Sequence, residues 1–184
     1  MTLKIGLNGF SVYIQRELIQ CTQVKSFSKT LLAAYLLFLL WLILFKTSTD
    51  FSSVVSNYQS RSLNLVPFAG YSSSKHEMFD NLIAFIPLGL LLGVNFKQMS
   101  LQRKLAFVTL FSFTAEVVQF ILAIGRTDIT DVIMNSLGGL LGLVLYGMCG
   151  KRGSRILDWA IMTALTVLLM LFLALRFFVL RVRY

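Results

Sequence analysis

Five apolar runs, each close to the length that crosses a bilayer, constrain this chain more than any other feature. The hydrocarbon core takes about 20 residues of helix to span. The runs cover residues 27–45, 78–96, 105–124, 129–149 and 156–180. Lipid offers no hydrogen bonds to a backbone, so each run must satisfy its own polar groups as a helix. The expected fold is an all-α integral membrane protein, a bundle of about five transmembrane helices. Composition excludes the soluble alternative. Of 184 residues, 57% are hydrophobic and 14% charged, against about 25% charged in water-soluble folds. The domain organisation follows: a tail over 1–26, one transmembrane domain over 27–180 with a long loop at 46–77, and a short tail at 181–184.

The net charge of +9 would suggest nucleic acid in a soluble protein. Here the cations fall in short clusters between apolar runs, which is how topology signals are arranged. Lys4, Arg16, Lys25 and Lys29 precede the first run; Lys97, Arg103 and Lys104 follow the second; Lys151, Arg152 and Arg155 follow the fourth. A cytoplasmic N-terminus puts all of these inside, and no nucleic-acid partner is expected. Arg176, Arg181 and Arg183 run against the pattern, since five spans leave the C-terminus outside. Phe10, Tyr13, Ile14, Leu18 and Cys21 recur at helical spacing, compatible with an amphipathic helix on the inner surface or with a tail that has no fixed structure. Cys21 and Cys149 lack the spacing of a zinc or disulfide framework.

Polar residues inside spans are costly and usually face a bundle interior. With the N-terminus inside, Asp80 and Asn81 lie at the outer start of the second span, and Glu116 and Gln119 towards the outer end of the third. Arg126 and Asp128 occupy the short outer turn, and Asp131 and Asn135 open the fourth span. These residues are expected to meet in the extracytoplasmic half, with Arg61 a further cation for the carboxylates. Glu116 and Gln119 are three apart and share a helix face, while Asp131, Asn135, Gly138, Gly139 and Gly142 follow one stripe. Gly138 and Gly142 form a G-x-x-x-G that allows close helix approach, and Pro87 should kink the second span. Three readings of the carboxylates stand open: structural pairing, a pocket for an outer-leaflet or extracellular ligand, and a divalent-cation site of oxygen ligands. His76 is the only histidine, and no hydrolase, metalloprotease or P-loop motif is present.

Ordered motifs then carry a resemblance. L-W-L-I-L-F-K (40–46), R-S-L-N-L-V-P-F (61–68), D-N-L-I-A-F-I-P-L-G (80–89) and V-N-F-K (94–97) come first. E-V-V-Q-F (116–120) and D-I-T-D-V-I-M-N-S-L-G-G-L-L-G (128–142) follow. In this order the segments resemble the VanZ family, from about residue 31 to the end and most strongly over 61–142. The family pattern falls on Arg61, Asn64, Pro67, Asp80, Asn81, Phe85, Pro87, Gly89, Glu116, Gln119, Asp128, Asp131, Asn135, Gly138 and Gly142. The resemblance implies reduced susceptibility to teicoplanin and related lipid-tailed glycopeptides in a Gram-positive bacterium. The segment over 61–68 is expected to fold back towards the membrane.

The preferred reading is a non-enzymatic membrane factor without a cofactor. Its partners would be membrane lipid and either a lipoglycopeptide antibiotic or a lipid-linked wall precursor. The ligand-binding candidates are Arg61, Asn64, Asp80, Asn81, Glu116, Gln119, Arg126, Asp128, Asp131 and Asn135; Pro87, Gly89, Gly138 and Gly142 are assigned to helix packing. The alternative is an enzyme that modifies a lipid or wall precursor through Glu116 and Asp131. A homo-oligomer packed through the G-x-x-x-G is a third.

Overall fold

The computed structural model describes residues 25–44, 62–64, 66–68, 71–122, 126–149 and 155–182. Among them are five helices long and apolar enough to cross a membrane. They are α1 (Lys25–Leu44), α2 (Tyr71–Asn95), α3 (Leu101–Leu122), α4 (Ile129–Cys149) and α5 (Arg155–Val182). Four lie within a few residues of the apolar runs. The exception is the start of α2, which reaches back to Tyr71 through polar residues expected to be loop. The expectations for Arg61 and for residues 1–24 of the tail fall outside the described residues.

Each helix buries one stripe and gives the rest to lipid. In α1 the stripe is Ser28, Leu31, Leu32, Tyr35, Leu39 and Ile43, at steps of three and four. In α2 it is Met78, Asn81, Phe85, Leu88 and Leu92. In α3 it is Lys104, Val108, Ser112, Ala115, Glu116 and Gln119. These spacings hold one face of a 3.6-residue helix. Among its described side chains, helix α5 buries only Asp158, Met162 and Leu165, while Val167, Leu168, Met170, Leu171, Leu173 and Leu175 are exposed. An apolar face that long is untenable in water and ordinary in a bilayer. The chain is a multi-pass membrane protein.

The tightest seam joins α2 to α4. A Cβ on Gly138 would collide with the Leu82 carbonyl oxygen, and one on Gly142 with the Ile86 carbonyl oxygen. From the other side, a Cβ on Gly89 would meet Leu143 N at 2.8 Å and Gly142 Cα at 2.9 Å. Only hydrogen at these positions lets two backbones approach so closely. The G-x-x-x-G is therefore filled by α2 of the same chain and is not a free face for a second copy. The stripe on α4 divides: Gly139 and Asn135 turn to α3, against Val108 and Ser112, while Gly138 and Gly142 turn to α2. Pro87 lies inside α2, between Ile86 and Gly89 of this seam.

The other helices are tied on by few directed contacts. Tyr35 of α1 donates to the Ala84 carbonyl of α2 at 2.8 Å. Phe38 packs edge-on against Phe172 of α5 with centroids 5.0 Å apart, and Phe27 stacks on Trp159 at 6.5 Å. Two short strands complete the structure. Strand β1 (Ser62–Asn64) pairs in parallel with β2 (Arg126–Asp128), in the register Ser62–Arg126, Leu63–Thr127 and Asn64–Asp128. Residues 62–64 and 66–68 thus fold back onto the bundle, against the turn between α3 and α4. The molecule has two unlike ends, a strand end and a lysine end where α2 runs into α3.

Candidate functional site

Asp128 organises the strand end. It precedes α4, whose first N–H groups have no helical partner, and a short acceptor at that point satisfies one of them. Its Oδ1 accepts from Thr130 N at 2.9 Å, and its Oδ2 from Asn64 Nδ2 at 2.9 Å. Its own N–H donates to Glu116 Oε2 at 3.2 Å. One residue thus joins β1, β2, α3 and α4. Asp131, half-buried in the first turn of α4, adds negative charge at the positive end of that helix dipole.

The loop segment is pinned at two further points. Asn64 Oδ1 accepts from Val66 N at 3.2 Å, and Phe68 N donates to Thr130 Oγ1 at 3.0 Å. Phe68 has φ of 60°, after Pro67. A bulky side chain in that left-handed region costs roughly 1–3 kcal/mol and persists only where surroundings hold it. The result is an apolar tip of Val66, Pro67 and Phe68, all exposed, beside a polar cluster.

Beneath the tip the polar residues go deep. Asn81 is 3% exposed, Glu116 3%, Gln119 5% and Asn135 1%. Asn135 Nδ2 donates to Ser112 Oγ at 2.8 Å, and the Thr109 and Ser136 hydroxyls meet at 2.9 Å. Gln119 Nε2 donates to the Ile43 carbonyl at 2.8 Å, which ties α3 to α1. That bond fixes the Gln119 amide, because a carbonyl oxygen cannot face another. Its Oε1 is left buried without a partner among the described residues, and so is Asn135 Oδ1. An unsatisfied buried acceptor costs about 1–3 kcal/mol. Two of them on neighbouring helices, near a buried carboxylate, make an interior suited to a hydrogen-bond donor.

Of the residues picked out in the sequence, the strand end gathers Asn64, Asn81, Glu116, Gln119, Asp128, Asp131 and Asn135. Arg126 opens β2; its side chain lies outside the described ones. Asp80 does not join them: it is exposed, because its neighbour Asn81 takes the inner face and adjacent helical residues point about 100° apart. His76 is exposed as well. No three His, Cys, Asp or Glu side chains among the described residues gather closely enough to hold a metal ion.

Sequence reasoning read Lys97 as a topology charge and as part of V-N-F-K, and gave no role to Ser112, Thr130, Tyr146 or Asp158. At the lysine end Lys97 Nζ pairs with Asp158 Oδ2, Tyr146 OH donates to Asp158 Oδ1 at 2.9 Å, and Asn95 Nδ2 donates to the Ser28 carbonyl at 3.3 Å. Burial by itself lowers the Lys97 pKa; the hydrogen bond to Asp158 and the charges of Tyr146 and Asp158 outweigh it, and the net shift is upward. A lone acid, Asp158, in a run otherwise free of acids was the available signal.

A model of the VanZ/LLP1 family matches residues 32–150. Over 153 residues the chain is 51% identical to Protein VanZ of Enterococcus faecium, a match that covers 83% of this chain and 94% of that protein. No solved structure matches the chain. The family match takes in both strands, α2, α3, α4 and most of α1, and ends before α5. The strand-end cluster lies wholly inside it.

Proposed function

The chain belongs to the VanZ/LLP1 family, and from that premise we propose that it lowers susceptibility to teicoplanin and related lipid-tailed glycopeptides without catalysing a reaction. The strand end faces the cell exterior in this reading, and its polar cluster binds a membrane-anchored ligand: the drug's acyl-bearing region or a lipid-linked wall precursor. The carrying observation is the pair of buried, unpartnered amide oxygens on Gln119 and Asn135, set near the Glu116 carboxylate. Acceptors in excess of donors suit a ligand rich in N–H and O–H groups. The exposed Val66–Pro67–Phe68 tip beside them suits an acyl chain. Orientation is supported by charge: Lys25, Lys29, Lys97, Arg103, Lys104 and Arg155 belong to the opposite end, against Lys75, Arg126, Arg176 and Arg181 at the strand end, and the positive-inside tendency puts the cytoplasm at the richer of the two.

The mechanism follows from avidity. A glycopeptide that anchors its tail in the bilayer grips its target as an intramolecular event, at an effective concentration that can reach millimolar. A protein that occupies the anchor, or the anchored target, removes that advantage. An unanchored glycopeptide never had it. Expression of the chain in a susceptible Gram-positive host should therefore raise the inhibitory concentration of teicoplanin several-fold and leave that of vancomycin nearly unchanged. An equal rise for both drugs would rule the reading out.

A further inference from the structure

The Val66–Pro67–Phe68 tip presents no free main-chain donor. Val66 N donates to Asn64 Oδ1 at 3.2 Å, and Phe68 N to Thr130 Oγ1 at 3.0 Å. Pro67, between them, has no N–H to place. A loop tip in water needs no such arrangement, because water satisfies any free donor. A tip in contact with lipid does need it, since acyl chains satisfy none.

The side chains agree with the backbone. Val66, Pro67 and Phe68 are all exposed. Phe68 is held in the left-handed region, at φ of 60°, by surroundings that include the Thr130 bond. A strained backbone that turns a phenyl ring into water is unfavourable twice over. Against apolar surroundings the second cost disappears. A charge in this stretch would resist entry into lipid. No residue from 62 to 74 carries one.

Depth names the medium. Thr130, which holds Phe68, lies in the first turn of α4, where the span Ile129–Met148 begins. Leu82 meets Gly138 and Ile86 meets Gly142, so α2 and α4 run parallel. Thr130 is then about level with Ser74, just outside the span that opens at His76. The tip thus sits where two spans enter the bilayer. We propose that Val66, Pro67 and Phe68 form an interfacial anchor, seated at the headgroup–chain boundary of the leaflet that adjoins the strand end. The anchor fixes β1 and the amide cluster beneath it at headgroup depth. The tip's carbonyls still meet interfacial water, so it goes no deeper, and aqueous reagents reach Val66 from that side. This placement needs no bound ligand and no assignment of the leaflet to outside or inside, so it stands or falls apart from the proposed function.

The test puts a single tryptophan on the tip. Phe68→Trp is made in the full-length chain with Trp41 and Trp159 replaced by phenylalanine, and reconstituted in phosphatidylcholine bilayers. The lipid is unmodified, or brominated near the headgroup end or near the methyl end of its acyl chains. Bromine near the headgroup end should lower the emission about twofold, and bromine near the methyl end less, as an interfacial depth requires. Iodide in the water should quench weakly. Val66→Trp should respond in the same order, and it covers the case in which an indole at position 68 disturbs the fold. Adding Thr130→Val leaves the Phe68 N–H without its acceptor, so bromine quenching should fall and iodide quenching rise; Thr130→Ser keeps the acceptor and should change neither. Strong iodide quenching with no response to either brominated lipid would put the tip in water and overturn the anchor. Protection from iodide and from both lipids would mean that protein covers the tip, and would overturn it equally. Strongest quenching by bromine near the methyl end would overturn the boundary placement.

Discussion

The two ends of the bundle solve the same problem by different means. At the strand end, neutral amides, hydroxyls and main-chain groups bind one another at depth. Asn135 and Ser112 are essentially sealed, and Asp128 spends both carboxylate oxygens on Thr130 and Asn64. At the lysine end, a full ion pair joins the turn after α2 to α5, with Lys97 47% and Asp158 12% exposed. With one partner exposed, such a pair is partly screened by salt and worth little. A buried amide network has no such screening, and every unmatched atom in it is costly. The contrast teaches where function is to be sought. The lysine end pairs Lys97 with Asp158 beside water and leaves one hydroxyl, Ser28 Oγ, buried without a partner among the described residues, whereas the strand end leaves two amide oxygens so, a cost that a binding role explains.

The largest expected effect breaks the scaffold under the strand end. Gly138→Leu drives a side chain into the Leu82 carbonyl and should destabilise by about 3 kcal/mol or more. Thermal unfolding in detergent would register it as loss of the cooperative transition. Gly147→Ala, where an added Cβ meets nothing within 4 Å, should instead be neutral or slightly stabilising. Matching behaviour of the two variants would remove the α2–α4 seam from the account.

Next comes Asp128→Ala. It removes a helix cap and the Asn64 bond together, and should cost about 2 kcal/mol. Asp128→Asn keeps a capping oxygen and should recover about half of that. Chemical denaturation of the two variants checks the order. No recovery by Asp128→Asn would mean that the charge, not the cap, matters.

Asn135→Leu sharpens the comparison. It deletes an unpartnered oxygen, and Ser112 can turn its hydroxyl to its own helix, so stability should change by less than about 1 kcal/mol. Teicoplanin resistance should nevertheless fall to the level of the empty vector. Unchanged resistance at normal protein levels would take Asn135 out of the site.

The smallest effect belongs to the lysine end. Lys97→Met should cost about 1 kcal/mol or less, since the lysine is exposed and Asp158, 12% exposed, keeps the bond from Tyr146. The Lys97 pKa is raised above the ordinary value of 10.5, so the pair's contribution is fully present below that pH and is lost as pH rises through the higher folded value. Wild type and Lys97→Met should therefore keep a constant difference in unfolding temperature from pH 7 to 10 and converge above it. Convergence near neutrality would show that the pair is not the source.

Much of the fold is written in apolar run length, since a span leaves the backbone no alternative to helix. The start of α4 was legible to the residue because D-I-T-D places an acid where a helix N-terminus wants one. The start of α2 was not, because Y-S-S-S-K-H-E is polar and tertiary context overrides its loop-like composition. Strands of three residues carry no periodicity, so β1 and β2 left no signal beyond the expectation that 61–68 returns to the bundle. The convergence of Asn81, Glu116 and Asn135 could be read from chain direction and helical spacing. Rotation could not: Asp80 and Asn81 looked equivalent, and only packing against α4 decides which of them turns inward. The partner of the G-x-x-x-G was hidden for the same reason, since the spacing signals close approach without saying to which helix, and the glycines at 138 and 142 meet α2.

The side of the membrane on which the strand end lies is the premise that all functional reasoning shares. Single cysteines at Val66 and Gln98, both exposed and at opposite ends, would report it once Cys21 and Cys149 are replaced by serine. A membrane-impermeant maleimide applied to intact cells should label Val66→Cys and leave Gln98→Cys untouched until the cells are opened. Labelling of Gln98→Cys alone in intact cells would put the amide cluster at the cytoplasmic face and contradict the account.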